Sequence, residues 1–394
     1  MSSMPSWPCY APDERAAVEA VLASGKVNYW TGEQARLFEA EYARYLGVAH
    51  ALALANGTVA LELALRMWGV GPGDEVIVTP RSFIASTSCA VLLGARPVFA
   101  DVDRDSGNIT AETVARVMTP RTRAIIPVHL GGWPCDVGAI VALAEQRGIK
   151  VLEDCAQAHG ARVLDRPVGA LGHAAAYSFC QDKIITTAGE GGLLATSDSV
   201  LWESAWSFKD HGRTWEAGGA RADGPGFRWI HDRFGTNWRI TDPQAAIGRI
   251  QLRKLDGWVA TRRRNAAILA ERLGGLAALR VPAVPADRYH AYYRFYAYVR
   301  PEALKSGWSR DRILTAISDM GLPCFTGSCP EIYKERAFRG TGWTPAQRLP
   351  VATELGETSL AFLVHPTLEE THMHRACDTV ERVVEQATAD TRIA

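Results

Sequence analysis

Nowhere in the 394 residues does an apolar run approach the roughly 18–20 that a membrane-spanning helix needs, so none is expected. The first ten residues hold two prolines and neither a basic nor an apolar block, and no secretory signal peptide is expected there. Net charge is also missing. Lys plus Arg is 43 and Asp plus Glu is 43, which leaves no general attraction to nucleic acid or to anionic membranes. The eight cysteines, at 9, 89, 135, 155, 180, 324, 329 and 377, form no C-x-x-C pair. Several sit inside apolar runs, as buried free thiols do in a reducing compartment, so a cytoplasmic protein without disulfides is expected. There is no internal repeat and no low-complexity segment.

What is present is length and an ordinary core-forming composition. A chain this long with 47% hydrophobic residues implies two domains sharing a cleft, placed at 1–255 and 256–394. Short apolar runs at 51–55, 75–79, 97–101, 124–130, 150–154, 174–179 and 192–196 predict strands. Segments of 3.6-residue period, such as 59–67 and 137–146, lie between several of them. Continuous apolar strands between amphipathic helices argue for a mostly parallel seven-stranded sheet covered on both faces. The stretch 206–237, rich in Gly, Arg and Trp, has no clear period and predicts a long loop, a length that is usually functional or disordered. A helix over 242–273 follows, with Asp242 as N-cap candidate and Pro243 at the first helical position. The remainder reads as a smaller α+β domain. It has strands at 292–299 and 359–364, a helix over 309–320 capped by Ser309, and a last helix opened by a capping box at Thr367.

Three places carry chemistry. Asn56-Gly57-Thr58 stands between a strand and a helix. Gly57 permits close approach of a ligand, and Thr58 can cap the helix while free N–H groups face a phosphate. An ordinary capped helix would look the same. Glu153-Asp154 closes an apolar run, and carboxylates at the carboxyl ends of parallel strands face the cleft. Asp154 there could hold a proton on a ring nitrogen, or be a turn residue. Lys183 follows the strand Tyr177-Ser178-Phe179 and leads into Gly189-Glu190-Gly191-Gly192. A lysine in such a glycine-rich turn can form a Schiff base, although a lone lysine in a turn is usually just solvated.

The conjunction decides between these readings. N-G-T, G-D-E-V-I-V-T-P-x-S-F, E-D-x-A-Q-A-H-G and S-F-x-x-x-K…G-E-G-G occur in that order. With G-T-N-W-R-I-T-D-P-Q-A-A-I-G around Asn237 and V-H-P around His365, the chain resembles the sugar aminotransferases of the DegT/DnrJ/EryC1/StrS family over nearly its whole length. The resemblance implies the fold-type-I aminotransferase architecture and a homodimer with shared active sites. It also implies pyridoxal 5′-phosphate as cofactor. It gives Lys183 the Schiff base and Asp154 the pyridine nitrogen. Gln157 goes beside the cofactor's 3′-oxygen, and Gly57, Thr58 and Ser178 go to the phosphate. Phe83 is expected to stack on the ring, and Asn237 to reach the phosphate from the partner subunit.

The expected reaction moves an amino group, with glutamate as donor, to a keto carbon of a nucleotide-linked deoxyhexose for polysaccharide or glycoside biosynthesis. His211, Arg213, Arg239 and His365 are candidate substrate contacts. Alternatives are a sugar dehydratase using the amine form of the cofactor, a non-catalytic regulatory protein on the same fold, and an amino-acid aminotransferase. The residues Cys180-Gln181-Asp182 depart from the family pattern before the lysine, but are expected to leave the core chemistry untouched. Cys155 and His159, four apart, could form half a zinc site, but no second ligand pair is evident and no metal is expected. Arg262-Arg263-Arg264 reads as a solvated helix face.

Overall fold

Seven strands form one sheet in the order His50–Leu54, Gly192–Thr196, Ala174–Ser178, Lys150–Asp154, Thr122–Ile126, Glu75–Val78 and Arg96–Phe99. Only Gly192–Thr196 runs antiparallel to its neighbours; the other six strands are parallel to one another. This computed structural model describes residues 4–215 and 230–389. Strand side chains alternate between two cores, as a period of two requires. Val76, Val78, Ala124, Ile126 and Leu152 join one core, whereas Ile77, Ile125 and Val151 join another across the sheet. Burial on both faces explains why these strands read as unbroken apolar runs. The predicted run 124–130 keeps regular strand only through Ile126, because Pro127 cannot donate to a ladder; beyond it an isolated parallel bridge still joins Val128 to Asp154.

Two helices were not foreseen, Pro12–Ser24 and Gln34–Leu46, and both pack against the long helix Asp242–Leu273. That helix has 32 residues, a length of about 48 Å. Its N-cap is Thr241, paired with Gln244, rather than Asp242. Asp242 instead accepts N–H bonds from Gln34 (3.0 Å) and Ala35 (3.2 Å), and so caps the neighbouring helix, whose own Glu33 makes no cap bond. Early in the long helix, Ala245, Leu252, Leu255 and Val259 feed the first core, while Ala266, Leu269 and Leu273 feed a separate one.

That last core lies under a four-stranded antiparallel sheet of Leu279–Arg280, Phe295–Val299, Ser359–Phe362 and Cys324–Phe325. Ser309 caps Arg310–Asp319 as expected, accepting from the Arg312 N–H. The closing helix begins at Glu370 with Glu369 and His372 as its box. Thr367 is diverted: its hydroxyl donates to the Ser6 carbonyl and also meets His365 Nδ1. Within 206–237, Trp206 to Lys209 belongs to the helix Ser199–Lys209. Asp210 and Arg213 then face Asn237 and His231 across antiparallel bridges. Residues 216–229 of the expected loop lie outside the described residues.

Candidate active site

Three strand ends converge. Gly192, at the start of its strand, is paired with Leu54 on one side and Ser178 on the other, and Asp154 is paired with Ala176. Asn56-Gly57, Ser178 and Asp154 therefore open on one edge of the sheet, where parallel α/β sheets place ligands.

At the first strand end, Asn56, not Thr58, caps the helix Gly57–Met67, its Oδ1 accepting from Val59 N–H at 3.0 Å. Asn is the better cap here because its extended backbone sets the carbonyl over the first turn. Gly57 is pressed on Ser178: a Cβ added to it would stand 2.7 Å from the Ser178 Cβ and 3.1 Å from the Tyr177 carbonyl oxygen. The backbone amides of the first turn thus lie beside the Ser178 hydroxyl, and Thr58 is half-buried next to them. This cradle of free amides and a hydroxyl suits a phosphate.

Asp154 is buried. One carboxylate oxygen accepts from Ser86 Oγ at 2.7 Å and the other from Ala156 N–H at 3.1 Å. Ser86 in turn meets Ser82 Oγ at 3.0 Å. Phe83 lies between these two serines in sequence and is 68% exposed as a residue, which leaves its ring available as a flat face. Gln157 is nearly buried, its Oε1 accepting from Gly131 N–H at 2.7 Å and its Nε2 near Ser328 Oγ at 3.4 Å. Buried carboxylate, amide cradle, exposed ring and lysine together fit a phosphorylated pyridine aldehyde.

Lys183 is only 15% exposed, its Nζ 4.9 Å over the Tyr293 ring and 3.8 Å from Asp182 Oδ1. Asp182, within the segment 180–182 that departs from the family pattern, thus lies against the lysine. His159 lies beneath: its Nε2 meets the Ser178 carbonyl and its Nδ1 the Tyr42 hydroxyl, both at 2.8 Å. A carbonyl only accepts, so Nε2 carries the proton and Tyr42 donates to Nδ1. Burial, with Lys183 and Arg262 adding to it, pushes the His159 imidazole down to about 3.

The facing wall was mostly illegible in the sequence. Trp7 Nε1 donates to the Lys183 carbonyl at 2.9 Å, and the Trp7 ring stacks near His365 at 6.1 Å. Arg262, read as solvated, is completely buried with its guanidinium 5.2 Å over Trp7 and one N–H toward the Tyr292 carbonyl at 3.4 Å. Burial, reinforced by Arg294, pulls it down to about 9. Its neighbours behave differently: Arg263 stacks 4.0 Å over Tyr289, and only Arg264 stays at the surface, paired with Glu370. A run of arginines on one helix faces three directions, since successive residues turn by about 100°. His365 is buried beside Trp7, pushed down to about 3 by burial and then by Arg262 and Arg294.

The loop-base candidates lie apart. His211 is exposed, with a left-handed backbone (φ 61°), and Arg213 sits 4.7 Å over Trp30. Arg239 is bound to Asp210 and bridges Leu54. Asn237 is exposed and accepts from the Arg239 N–H at 3.4 Å, while the Trp238 carbonyl accepts from Ala55 N–H. The loop base therefore runs along the edge strand toward the cradle.

One buried group, His129, Glu153 and Cys155, has metal-ligand chemistry. Its atoms are engaged otherwise. His129 Nδ1 accepts from Cys135 N–H, so Nε2 donates to Glu153, which also takes N–H bonds from Gly169, Leu171 and Gly172. His159, which with Cys155 was weighed and set aside as half a zinc site, spends both ring nitrogens on Tyr42 and Ser178.

Comparison with known proteins agrees with this geometry. Residues 8–381 match the DegT/DnrJ/EryC1/StrS aminotransferase family. The chain is 35% identical over 370 residues to UDP-N-acetyl-3-dehydro-alpha-D-glucosamine 3-aminotransferase of Acidithiobacillus ferrooxidans, covering 93% of this chain and 94% of that one. It is 34% identical over 371 residues to dTDP-3-amino-3,4,6-trideoxy-alpha-D-glucose transaminase of Streptomyces venezuelae, covering 94% and 92%. The solved structure of an aminotransferase from Psychrobacter cryohalolentis superposes with a TM-score of 0.95 at 49% identity, covering 98% of this chain and 99% of that one.

Proposed function

The chain belongs to the DegT/DnrJ/EryC1/StrS aminotransferase family, and from that premise we propose that it moves an amino group from an amino acid, glutamate by preference, to a keto carbon of a nucleotide-linked sugar. It is an aminotransferase, and its cofactor is pyridoxal phosphate. The observation that carries the substrate reading is the pair of relatives whose names place them on UDP- and dTDP-linked sugars, each covering over nine-tenths of this chain. The product would serve polysaccharide or glycoside biosynthesis.

Bound in the cradle, pyridoxal phosphate supplies a ring that withdraws electrons from the carbon attached to the transferred nitrogen. The rest of the work falls to this chain. Asp154, held by Ser86 and the Ala156 amide, keeps a proton on the ring nitrogen, because a buried carboxylate favours the charged pyridinium. The amides of the Gly57–Thr58 turn and the Ser178 hydroxyl hold the phosphate, Phe83 covers one face of the ring, and Gln157 fixes its oxygen substituent. Lys183 anchors the cofactor. Its Nζ would be the group that takes a proton from the amino donor and gives it back, as general base and then acid, and would serve the keto sugar in the same way.

Partner and place belong to the same reading. A homodimer with shared sites is supported by apolar rings left open in the single chain, Phe234, Phe325 and Trp215. Asn237 would serve the partner's phosphate, with His211, Arg213, Arg239 and His365 as candidate substrate contacts. Eight unpaired cysteines support a reducing, cytoplasmic setting. A division along the long helix is supported by its change of core, which falls between Val259 and Ala266, slightly beyond the proposed boundary at 255. The test is a panel of nucleotide ketosugars incubated with glutamate and read by mass spectrometry. Nitrogen should enter at least one sugar. If the holoenzyme deaminates glutamate but aminates no member, the sugar reading fails.

A further inference from the structure

Arg294 keeps 21% of its side chain open beside the cofactor lysine. Its guanidinium lies 4.5 Å from the centre of the Tyr293 ring, and Lys183 Nζ lies 4.9 Å from the same centre. The two groups are therefore no farther apart than those distances combined. By its backbone Arg294 is tied to the Gln157 side of the site. Its N–H donates to the Gly131 carbonyl at 3.3 Å, and the Gly131 N–H donates to Gln157 Oε1 at 2.7 Å. The side chain thus starts near Gln157 and ends near Lys183.

Its charge is loosely matched. One nitrogen lies 3.6 Å from Asp182 Oδ2, beyond hydrogen-bond reach, and another donates to the Tyr293 carbonyl at 3.3 Å. That Asp182 oxygen also accepts the Tyr293 hydroxyl, and the other lies 3.8 Å from Lys183 Nζ, so one carboxylate is divided among three groups. Half of the Asp182 side chain is open to solvent, which screens it further. Arg262, stacked on Trp7, adds a cation, whereas burial keeps His159 and His365 neutral. Among the described residues Asp182 is the one carboxylate paired with these cations. Two guanidinium groups remain against it even when Lys183 is taken up by the cofactor. Such an excess of positive charge in a cleft favours an anionic ligand.

We propose that Arg294 binds the α-carboxylate of the amino donor, which displaces Asp182 from it. The donor nitrogen takes the place of the Lys183 nitrogen, and its carboxylate carbon then lies two bonds away, about 2.5 Å. A guanidinium just beyond that point grips both oxygens through parallel N–H bonds, a stronger match than the distant Asp182 supplies. A keto sugar carries no carboxylate beside its reacting carbon. Arg294 therefore serves one half-reaction and not the other, which makes it a residue of donor choice.

The inference rests on the reading of glutamate as donor, and that reading is tested first: glutamate alone should bleach the visible band of the wild-type holoenzyme. No bleaching overturns the donor reading and the inference with it, whereas bleaching with unmoved variants overturns the inference alone. In Arg294→Gln the glutamate concentration that half-saturates bleaching should rise about ten- to hundredfold, with a smaller change in the limiting rate. Asp182→Asn should lower that concentration, because a competing anion is gone. Calorimetric titration with glutarate, which is glutamate without its amino group and cannot react, should rank the enzymes alike, Asp182→Asn tightest and Arg294→Gln weakest. An Arg294→Gln enzyme that matches the wild type in either measurement overturns the proposal. So does an Asp182→Asn enzyme that takes glutamate no better than the wild type. If Arg294→Gln does not fold, Asp182→Asn decides by itself.

Discussion

The two walls of the cleft are built differently. On one, Gly57, Asp154, Ser178 and Lys183 sit at or just beyond the ends of neighbouring strands, and ladder pairing fixes their relative positions. On the other, Trp7, Arg262, Tyr293, Arg294 and His365 come from four distant segments, held by stacking and buried charge. The first wall can be rigid because the strands that carry it are paired in the sheet up to Leu54, Asp154 and Ser178. The second depends on packing between cores, and its polar groups are individually less well satisfied: two nitrogens of Arg262 find no hydrogen-bond partner among the described residues. We read the first wall as the holder of the cofactor, and the second as the part that sets charge and access.

The largest effect expected on the first wall is that of Lys183→Ala. The variant should still bind the cofactor but lose both half-reactions and the borohydride adduct, since a general base alone accounts for about 10²–10⁴ in rate. A reduced adduct mapped to another lysine would reverse the assignment. Asp154→Asn should follow, with turnover lower by orders of magnitude and a normal melting temperature, because an amide cannot keep the ring nitrogen charged. Near-normal turnover would reduce Asp154 to a local cap.

Mixing Lys183→Ala with Asn237→Asp, each expected to be inactive by itself, extends the comparison to the proposed dimer. Shared sites let some heterodimers recover one working site once subunits exchange. No recovery despite proven exchange would confine the site to one chain.

Gly57→Ala should be milder. The new Cβ meets Ser178 and the Tyr177 backbone, so the cradle must shift, at about 1–3 kcal/mol of stability and a weaker grip on the cofactor. Titrating cofactor into the apo variant and following its thermal melting check both. The smallest effect at neutral pH belongs to His159→Gln. The wild-type imidazole titrates near 3 when folded and near 6.5 when exposed. Between those values the unfolded chain binds the extra proton, so stability is full above 6.5 and is lost as the pH falls toward 3. Gln can keep both hydrogen bonds without titrating. Urea midpoints measured across that window should therefore fall less steeply in the variant; an unchanged slope would mean that His159 is not the group responsible.

The difference between the walls also explains what could be read beforehand. The sheet strands were legible because burial on both faces leaves continuous apolar runs, and the cofactor motifs because each is contiguous at a strand end. Boundaries moved where local rivals competed. Asn56 took the cap from Thr58, and Thr241 took it from Asp242, whose carboxylate was drawn to a helix some 200 residues away. The helix Pro12–Ser24 escaped notice because its amphipathic signal is weak; Gln34–Leu46 carries a clear one, with Ala35, Phe38, Tyr42 and Leu46 buried at helical spacing, and was missed all the same. Arg262 was misread because a triplet of arginines looks the same whether it faces water or a core.

The sequence by itself determined the order of the chemical groups along the chain, the parallel sheet that carries them and the family they belong to. These follow from local patterns: period, capping residues, and glycines where backbones must nearly touch. Only the tertiary structure decided that Asp182 turns onto Lys183, that Trp7 closes over the lysine's backbone, and that Arg262 lies buried beside them. Those contacts reach across much of the chain: Trp7 meets Lys183, 176 positions on, and Arg262 farther still. Whether a charged side chain meets water, an aromatic face or another charge there is settled by what the packing of separate cores brings beside it, and no local pattern encodes that.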